Sequence, residues 1–531
     1  MLDILIKNGT IVDGTGSNRY QANVGITDGV ITEIAKDLDI PAKSIIDAEN
    51  QIVSSGFIDI HSHSDLSPFF VNYKMQSKLY QGISLEIVGN CGISCLPTND
   101  KSRKTITELL EGALALPLNG MVAEDNSITD YAEHIGRCPA ATNVGLLIGH
   151  GTLRGCVMGF DMRPPTKEEL QAMADLLDHE LTHGAFGMSL GLIYPPSSYG
   201  DLEEFIVLAK VLKKHEAILT VHMRSESTHI FDAVREMLKV AESSHVHLQI
   251  SHLKLIGKPQ WGKADELLAM IKEARSKGLE VTCDQYPYTA TSTNMAAMVP
   301  GWAQSGGPEA MCQRLAKPSK ELLTEIKIEM ERRGGAGKVL IVSTHDKYPE
   351  FDGVTLDKAA KALNLEPEMA VTVLLCAANG GIPCCYFCLA EEDMLTIMRE
   401  QFICVGSDGY AFPFDKGLIS TNPHPRSFGT FPRFLQITRE QQLMSLEAAI
   451  AKITALPAAI LGLKDRGTIA IGKKADLTIF DASQIADRSS YTDALRKPAG
   501  INYVIIDGKI ALAKGEQVGE DFGRVLLHEQ Y

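Results

Sequence analysis

The stretch Gly56-Phe57-Ile58-Asp59-Ile60-His61-Ser62-His63-Ser64-Asp65 is a short apolar run that ends in two histidines. Successive side chains of a strand point to opposite faces, so His61 and His63 share one side and can reach one ion. Seven comparable runs follow: SLEIVGN (84–90), NVGLLIGH (143–150), AFGMSLG (185–191), AILTVHM (217–223), VHLQISH (246–252), LEVTCDQYP (279–287) and FICVGSD (402–408). Between them lie segments such as TKEELQAMADLLDHELTHG and ADELLAMIKEARSKG, with apolar residues at helical spacing and a glycine near the end. Alternating strands and helices with eight buried strands predict an α/β chain folded as a (β/α)8, TIM-like barrel. An open doubly wound sheet is written in the same alphabet.

Outward from the barrel, residues 1–55 and 466–531 differ in texture. DILIKNGTIV, ANVGITDGVITEIA and SIIDAENQIVSSG at one end, and GTIAIGKKADLTIFD and INYVIIDGKIALAKGEQ at the other, are short β-rich runs joined by turns. They predict one small β-sandwich domain assembled from both termini, around a catalytic barrel at 56–465. Residues 287–337 break the barrel rhythm between the seventh and eighth strands. Their Pro/Gly-rich start (MVPGWAQSGGPE) and charged helix (SKELLTEIKIEMERR) suggest an inserted lid.

Bulk composition narrows the partners. Hydrophobic residues at 45% and charged residues at 22% describe an ordinary globular protein. A net charge of −15 opposes nucleic-acid phosphates and anionic membrane surfaces. The start, MLDILIKNGTIVDGTG, reads as strand and turn and not as a signal peptide, and no apolar run approaches the length of a membrane span. The expected setting is the cytoplasm, with neither nucleic acid nor membrane as partner. Eleven scattered cysteines then favour buried thiols or metal ligation over disulfides.

In a barrel of this kind the C-terminal ends of the strands line the active site. Strand one ends in His61 and His63, strand two runs into Gly89-Asn90-Cys91-Gly92, and strands five, six and eight end at His222, His252 and Asp408. Any of these alone has an ordinary structural reading: a satisfied histidine, a small buried thiol, a capping aspartate. Together they assemble metal-ligating chemistry at one barrel mouth.

GFIDIHSHSD (56–65), VGNCGIS (88–94), VHMRSE (221–226), SHLK (251–254), GSDG (406–409) and GTIAIGKKADLTIFD (467–481) resemble the amidohydrolase superfamily, and within it the D-aminoacylase branch of N-acyl-D-amino-acid deacylases. The resemblance runs nearly end to end, and GNCGIS is its discriminating element. Hydantoinases and dihydroorotases usually bridge two metals with a carboxylated lysine on strand four, whereas AFGMSLG contains no lysine. In the D-aminoacylase branch a strand-two cysteine supplies a thiolate instead, and Cys91 matches it. The resemblance implies a Zn2+ held tightly by Cys91, His222 and His252. His61, His63 and Asp408 would form a second site, weak or vacant, with Asp408 also the catalytic acid/base. It further implies that Lys254, Tyr286 and Arg426 bind the carboxylate of a small-molecule N-acyl amino acid.

The chemistry agrees. Amide hydrolysis needs a nucleophile, an electrophile and a proton for the departing amine; zinc with one open position serves the first two, and Asp408 can relay the proton. A planar guanidinium suits a carboxylate better than an ammonium does. His150, Arg224 and His345 are weaker candidates, and Cys384, Cys385 and Cys388 read as core thiols. The expected reaction is zinc-dependent hydrolysis of N-acyl-D-amino acids. The rival readings are an amidohydrolase for another linear or cyclic amide, hydantoinase- or dihydroorotase-like, and a catalytically inactive scaffold relative.

Overall fold

A computed structural model describes residues 1–69, 76–114, 126–137, 140–419, 421–519 and 522–528. All eight apolar runs are strands, and they form one eight-stranded parallel sheet in sequence order. They are β1 (Phe57–Asp59), β2 (Ile83–Val88), β3 (Asn143–Gly149), β4 (Gly187–Gly191), β5 (Ile218–His222), β6 (His247–Ile250), β7 (Val281–Gln285) and β8 (Ile403–Val405). The ring closes where β8 meets β1: Ser62 bridges Gly409 in parallel, Asp408 N donates to His61 O at 2.8 Å, and His63 N donates to Gly409 O at 3.0 Å. The barrel's last hydrogen bonds are thus made by the segments that carry His61, His63 and Asp408.

The helices pack on the outside for local reasons. Lys167–Thr182 begins with a capping box, Thr166 accepting from Glu169 N while the Glu169 side chain returns to Thr166 N. Leu202–Lys214 is capped by Asp201. Their buried faces (Met173, Leu177 and Leu181; Phe205, Leu208 and Leu212) join the main core against the sheet. A second apolar cluster, with Ile58, Leu85, Leu147, Phe186, Ile218 and Leu526, includes residues at the N-terminal ends of β4 and β5. It plugs the barrel away from the histidines.

Strands from both chain ends join in one nine-stranded sheet. Its spine is Leu2–Val12, which pairs antiparallel with Tyr20–Thr27 and parallel with Ala42–Asp47 and Ile52–Ser55. Leu477–Phe480 from the other end pairs antiparallel with Ile52–Ser55, which sews the termini together. The excursion between β7 and β8 reaches beyond residue 337. Thr291–Asn294 and Val339–Ile341 both pair with Pro383–Tyr386 in a three-stranded antiparallel sheet. This unit has its own apolar core, with Met295, Leu322, Ile326, Leu374 and Tyr386.

Candidate metal centre

Cys91 stands on a turn that needs glycine at positions 89 and 92. Gly89 (φ +78) and Gly92 (φ +76) are left-handed, and a Cβ on Gly89 would lie 2.0 Å from Leu147 O. Between them Cys91 is itself left-handed, at φ 54. The turn is clamped from β4: Ser189 Oγ donates to Gly89 O at 2.5 Å and accepts from Gly92 N at 2.9 Å. His252 (φ 37) and Asp408 (φ 51) share this backbone state, which costs a residue other than glycine of order 1 kcal/mol and tends to collect at functional sites.

These turns bring the predicted ligands together. Cys91 Sγ lies 3.4 Å from His61 Nε2, 3.7 Å from His222 Nδ1 and 3.5 Å from His252 Nε2, and the last two nitrogens are 2.9 Å apart. His63 Nε2 is 3.0 Å and His61 Nε2 3.5 Å from Asp408 Oδ1. Two donor sets result, Cys91–His222–His252 and His61–His63–Cys91–Asp408, sharing the thiol, with every ligand buried. A tetrahedral zinc with bonds of about 2.0–2.1 Å to nitrogen and about 2.3 Å to sulfur has sulfur–nitrogen edges near ~3.6 Å. The sulfur–nitrogen spacings of the first set, 3.5 and 3.7 Å, therefore suit such an ion.

Electrostatics prepare the thiol for this role. Burial opposes a Cys91 thiolate, but the imidazoles of His61 and His252, with hydrogen bonds from His222 and His252, hold the thiol well below its ordinary range. Burial likewise opposes a charged Asp408, yet Arg426, His252 and His61 keep its carboxyl well below the carboxylate range. Burial lowers His222. His252 is pushed up to about 9, where Glu226, Asp408 and Cys91 overcome burial and the Lys254 charge.

Two further residues complete the centre that reasoning on strand ends left out. Asp284, the fourth residue of β7, has Oδ1 3.1 Å from His61 Nδ1 and accepts from His252 N at 2.8 Å. Glu226 Oε1 lies 3.0 Å from His252 Nδ1 and takes the Lys254 ammonium, while its Oε2 is 3.5 Å from His222 Nε2. Imidazoles that ligate metals are commonly oriented by such carboxylates. The signals were present, an acid at the end of β7 and one four residues beyond His222 in VHMRSE, but neither motif requires them to point inward.

The predicted substrate-binding residues form one side of the mouth. Lys254 Nζ is 2.7 Å from His252 Nδ1. Arg426 donates to Asp408 Oδ2 at 2.6 Å and to Ser292 O at 3.1 Å, with its guanidinium carbon 5.1 Å from the centre of the Tyr286 ring. Lys254 Nζ lies 5.7 Å from the same ring centre, and the buried Tyr286 hydroxyl has no hydrogen-bond partner among the described residues. A buried hydroxyl without such a partner, on a ring flanked by two cations, could serve an anionic guest. His150 turns away, spanning Ser197 Oγ (2.8 Å) and Glu204 (2.7 Å), and Arg224 pairs with Glu236 at 3.0 Å. Cys384, Cys385 and Cys388 are buried, and burial pushes all three thiols up.

The chain is 32% identical to the D-aminoacylase of Alcaligenes xylosoxydans xylosoxydans over 525 residues, covering 99% of this chain and 97% of the relative. It belongs to the D-aminoacylase family of amidohydrolases. The amidohydrolase family profile matches residues 404–512. The N-acyl-D-glutamate deacylase of the same organism is 34% identical, over 96% of this chain and 93% of the relative. Among solved structures, the N-acyl-D-glutamate deacylase of Bordetella bronchiseptica, complexed with zinc and a phosphonate mimic of the tetrahedral intermediate, superposes with a TM-score of 0.84 at 30% identity, over 99% of this chain and 100% of that one. A D-aminoacylase whose binuclear centre is described by one-metal activation and second-metal attenuation gives 0.82 at 31% identity, over 99% and 100% of the two chains. The D-hydantoinase fold is also similar, at TM-score 0.57 and 16% identity over the full length of both chains, which speaks to architecture alone. As a member of this family the protein is a metal-dependent amidohydrolase. Among the described residues, no helix is long and apolar enough to cross a membrane.

Proposed function

We propose that this D-aminoacylase-family protein hydrolyses N-acyl-D-amino acids to a carboxylate and a free D-amino acid. The observation that carries this reading is the convergence of Cys91 Sγ, His222 Nδ1 and His252 Nε2 within 3.7 Å of one another, with the Asp408 carboxylate beside them. These three residues would hold one zinc tightly. The second set is weak or vacant, because Asp408 is already engaged by Arg426 and His63 and Cys91 serves both positions. Zinc in such a site acts as a Lewis acid and brings the pKa of water down to about 7.

The protein's own groups supply the rest. Arg426, Lys254 and the Tyr286 hydroxyl take the substrate carboxylate and set the amide over the thiolate–imidazole cluster. Arg426 spends one donor on Asp408 and one on Ser292 O, which leaves three for an incoming anion. Asp408, held ionised by Arg426, accepts the proton of the attacking water and passes it to the departing nitrogen. Glu226 and Asp284 keep the imidazoles in register through these transfers.

The absence of a lysine from β4 supports this reading over a cyclic amidase: Ser189 occupies that strand and serves the Cys91 turn. The test is release of free amine from a matched panel of N-acetyl D- and L-amino acids by zinc-replete protein, with hydantoin and dihydroorotate alongside. Turnover of D-substrates that is lost, with the zinc, in Cys91→Ala supports the assignment. Preference for the cyclic amides, or undiminished activity in Cys91→Ala, overturns it.

A further inference from the structure

Behind Tyr194, beside the metal centre, lies a cleft that the proposed chemistry does not use. Its wall toward the metal centre is Tyr194, whose ring stands edge-on to His222 with centroids 5.2 Å apart and whose hydroxyl pairs with Thr293 Oγ1 at 2.8 Å. Beyond Tyr194 the lining is mainly apolar: Leu109, Phe160, Pro195, Ala297 and Met311. The polar side chains there are already committed. Asn294 donates to Gly380 O at 2.8 Å and accepts from Ala296 N and Ile382 N, and Gln304 donates to Val299 O at 2.7 Å. Glu108, the one charged lining residue among the described residues, faces Lys104 at 3.6 Å.

We infer that this cleft binds the acyl group of the substrate, and that the protein takes medium- to long-chain N-acyl groups in preference to acetyl. The inference rests on the deacylase reading above and follows from the order of atoms in the substrate. Along carboxylate, Cα, nitrogen, carbonyl and acyl tail, the amino-acid side chain branches one bond from the carboxylate, while the acyl tail is the far end. With the carboxylate at Arg426, Lys254 and Tyr286 and the carbonyl over Cys91, His222 and His252, the tail leaves across Tyr194 into the apolar cleft. The side chain stays with the cations. A cleft whose described polar side chains are bonded within the protein and whose described charge is negative disfavours an anionic group and gains from each methylene it removes from water.

The test is a chain-length series on a single amino acid: N-acetyl-, N-butanoyl-, N-hexanoyl- and N-octanoyl-D-leucine. Full burial corresponds to about fourfold in kcat/KM per methylene, so a rise of well over tenfold from acetyl to octanoyl is expected. Ala297→Phe, which adds bulk to the lining of the cleft, should erase that rise. A flat or falling series, or a variant that slows acetyl and octanoyl substrates equally, overturns the inference while leaving the deacylase reading intact. Octanoate binding followed by thermal shift reads the cleft without hydrolysis: stabilisation of the wild type but not of Ala297→Phe supports the inference, and equal or absent stabilisation counts against it. If no N-acyl-D-amino acid of any length is turned over, the deacylase reading fails, and the octanoate experiment still decides for or against the cleft.

Discussion

Asp284 serves three partners from the end of β7: His61 Nδ1 at 3.1 Å, His252 N at 2.8 Å and Gln249 Nε2 at 3.1 Å. It therefore orients the His61 imidazole and anchors the backbone of His252, although it touches neither donor cluster as a ligand. Replacing such an outer carboxylate usually costs about 10–100-fold in metal affinity. Asp284→Ala is expected to lose zinc to a competing chelator within that range, with Cys91 still able to bind. Asp408 predicts a different outcome. If it relays the proton, Asp408→Asn should lower kcat by about 10²–10⁴-fold while zinc at Cys91, His222 and His252 stays at the wild-type level by elemental analysis. Equal loss of zinc and kcat would mean that Asp408 acts mainly as a ligand.

At the scale of elements, the helix Leu446–Ile453 meets the connection into β8 through one cation. Lys452 Nζ donates to Met398 O at 2.7 Å and to Glu400 O, and its side chain is almost wholly buried. Burial lowers its pKa to about 8, against the pull of Cys404 and Glu400. Below that value the ammonium is charged in both folded and unfolded chains. Between about 8 and 10.5 the unfolded chain keeps a proton that the folded chain has released, so this group makes stability rise with pH across that window. The wild type should gain on the order of 2–3 kcal/mol relative to Lys452→Met between pH 8 and 10.5, read from urea midpoints of the two proteins side by side. A constant difference would show that the burial cost is relieved some other way.

Over the whole molecule, stability and chemistry sit at opposite ends of the barrel. The C-terminal segment 522–528 runs beneath it: Val525 bridges Val144 in parallel, Leu526 N donates to Val144 O at 2.8 Å, and His528 N donates to Gly184 O at 2.8 Å. Leu526 also joins the apolar plug with Phe186 and Ile218. Ending the chain at residue 521 should lower the thermal midpoint by several degrees, because a buried leucine and its backbone partners are lost. The kcat per bound zinc should stay within about twofold of the full-length value, since the metal centre lies at the other rim. A truncated protein that keeps its midpoint would show that the plug is closed without the tail.

The eight strands and the candidate donor residues Cys91, His222, His252, His61, His63 and Asp408 were legible in the sequence for a physical reason. Buried parallel strands are mostly apolar, so histidine, cysteine or aspartate just past the end of such a run is conspicuous. Asp284 and Glu226 were not legible. An acid at a strand end or in a loop is common, and only the closed ring turns these two toward His61 and His252. The pairing of Arg426 with Asp408 also depended on the fold, because residues 18 apart meet only when the segment after β8 doubles back over the mouth. The inserted unit showed the same limit: its start was visible as a broken rhythm, but its three-stranded sheet joins residue 291 to 386, and no local pattern encodes that register. The sequence by itself thus determined which elements form and which chemistry each strand end carries, since burial and periodicity act locally. Only tertiary structure decided which charges face one another and where the apolar cleft opens, since those depend on distances set by closing the barrel.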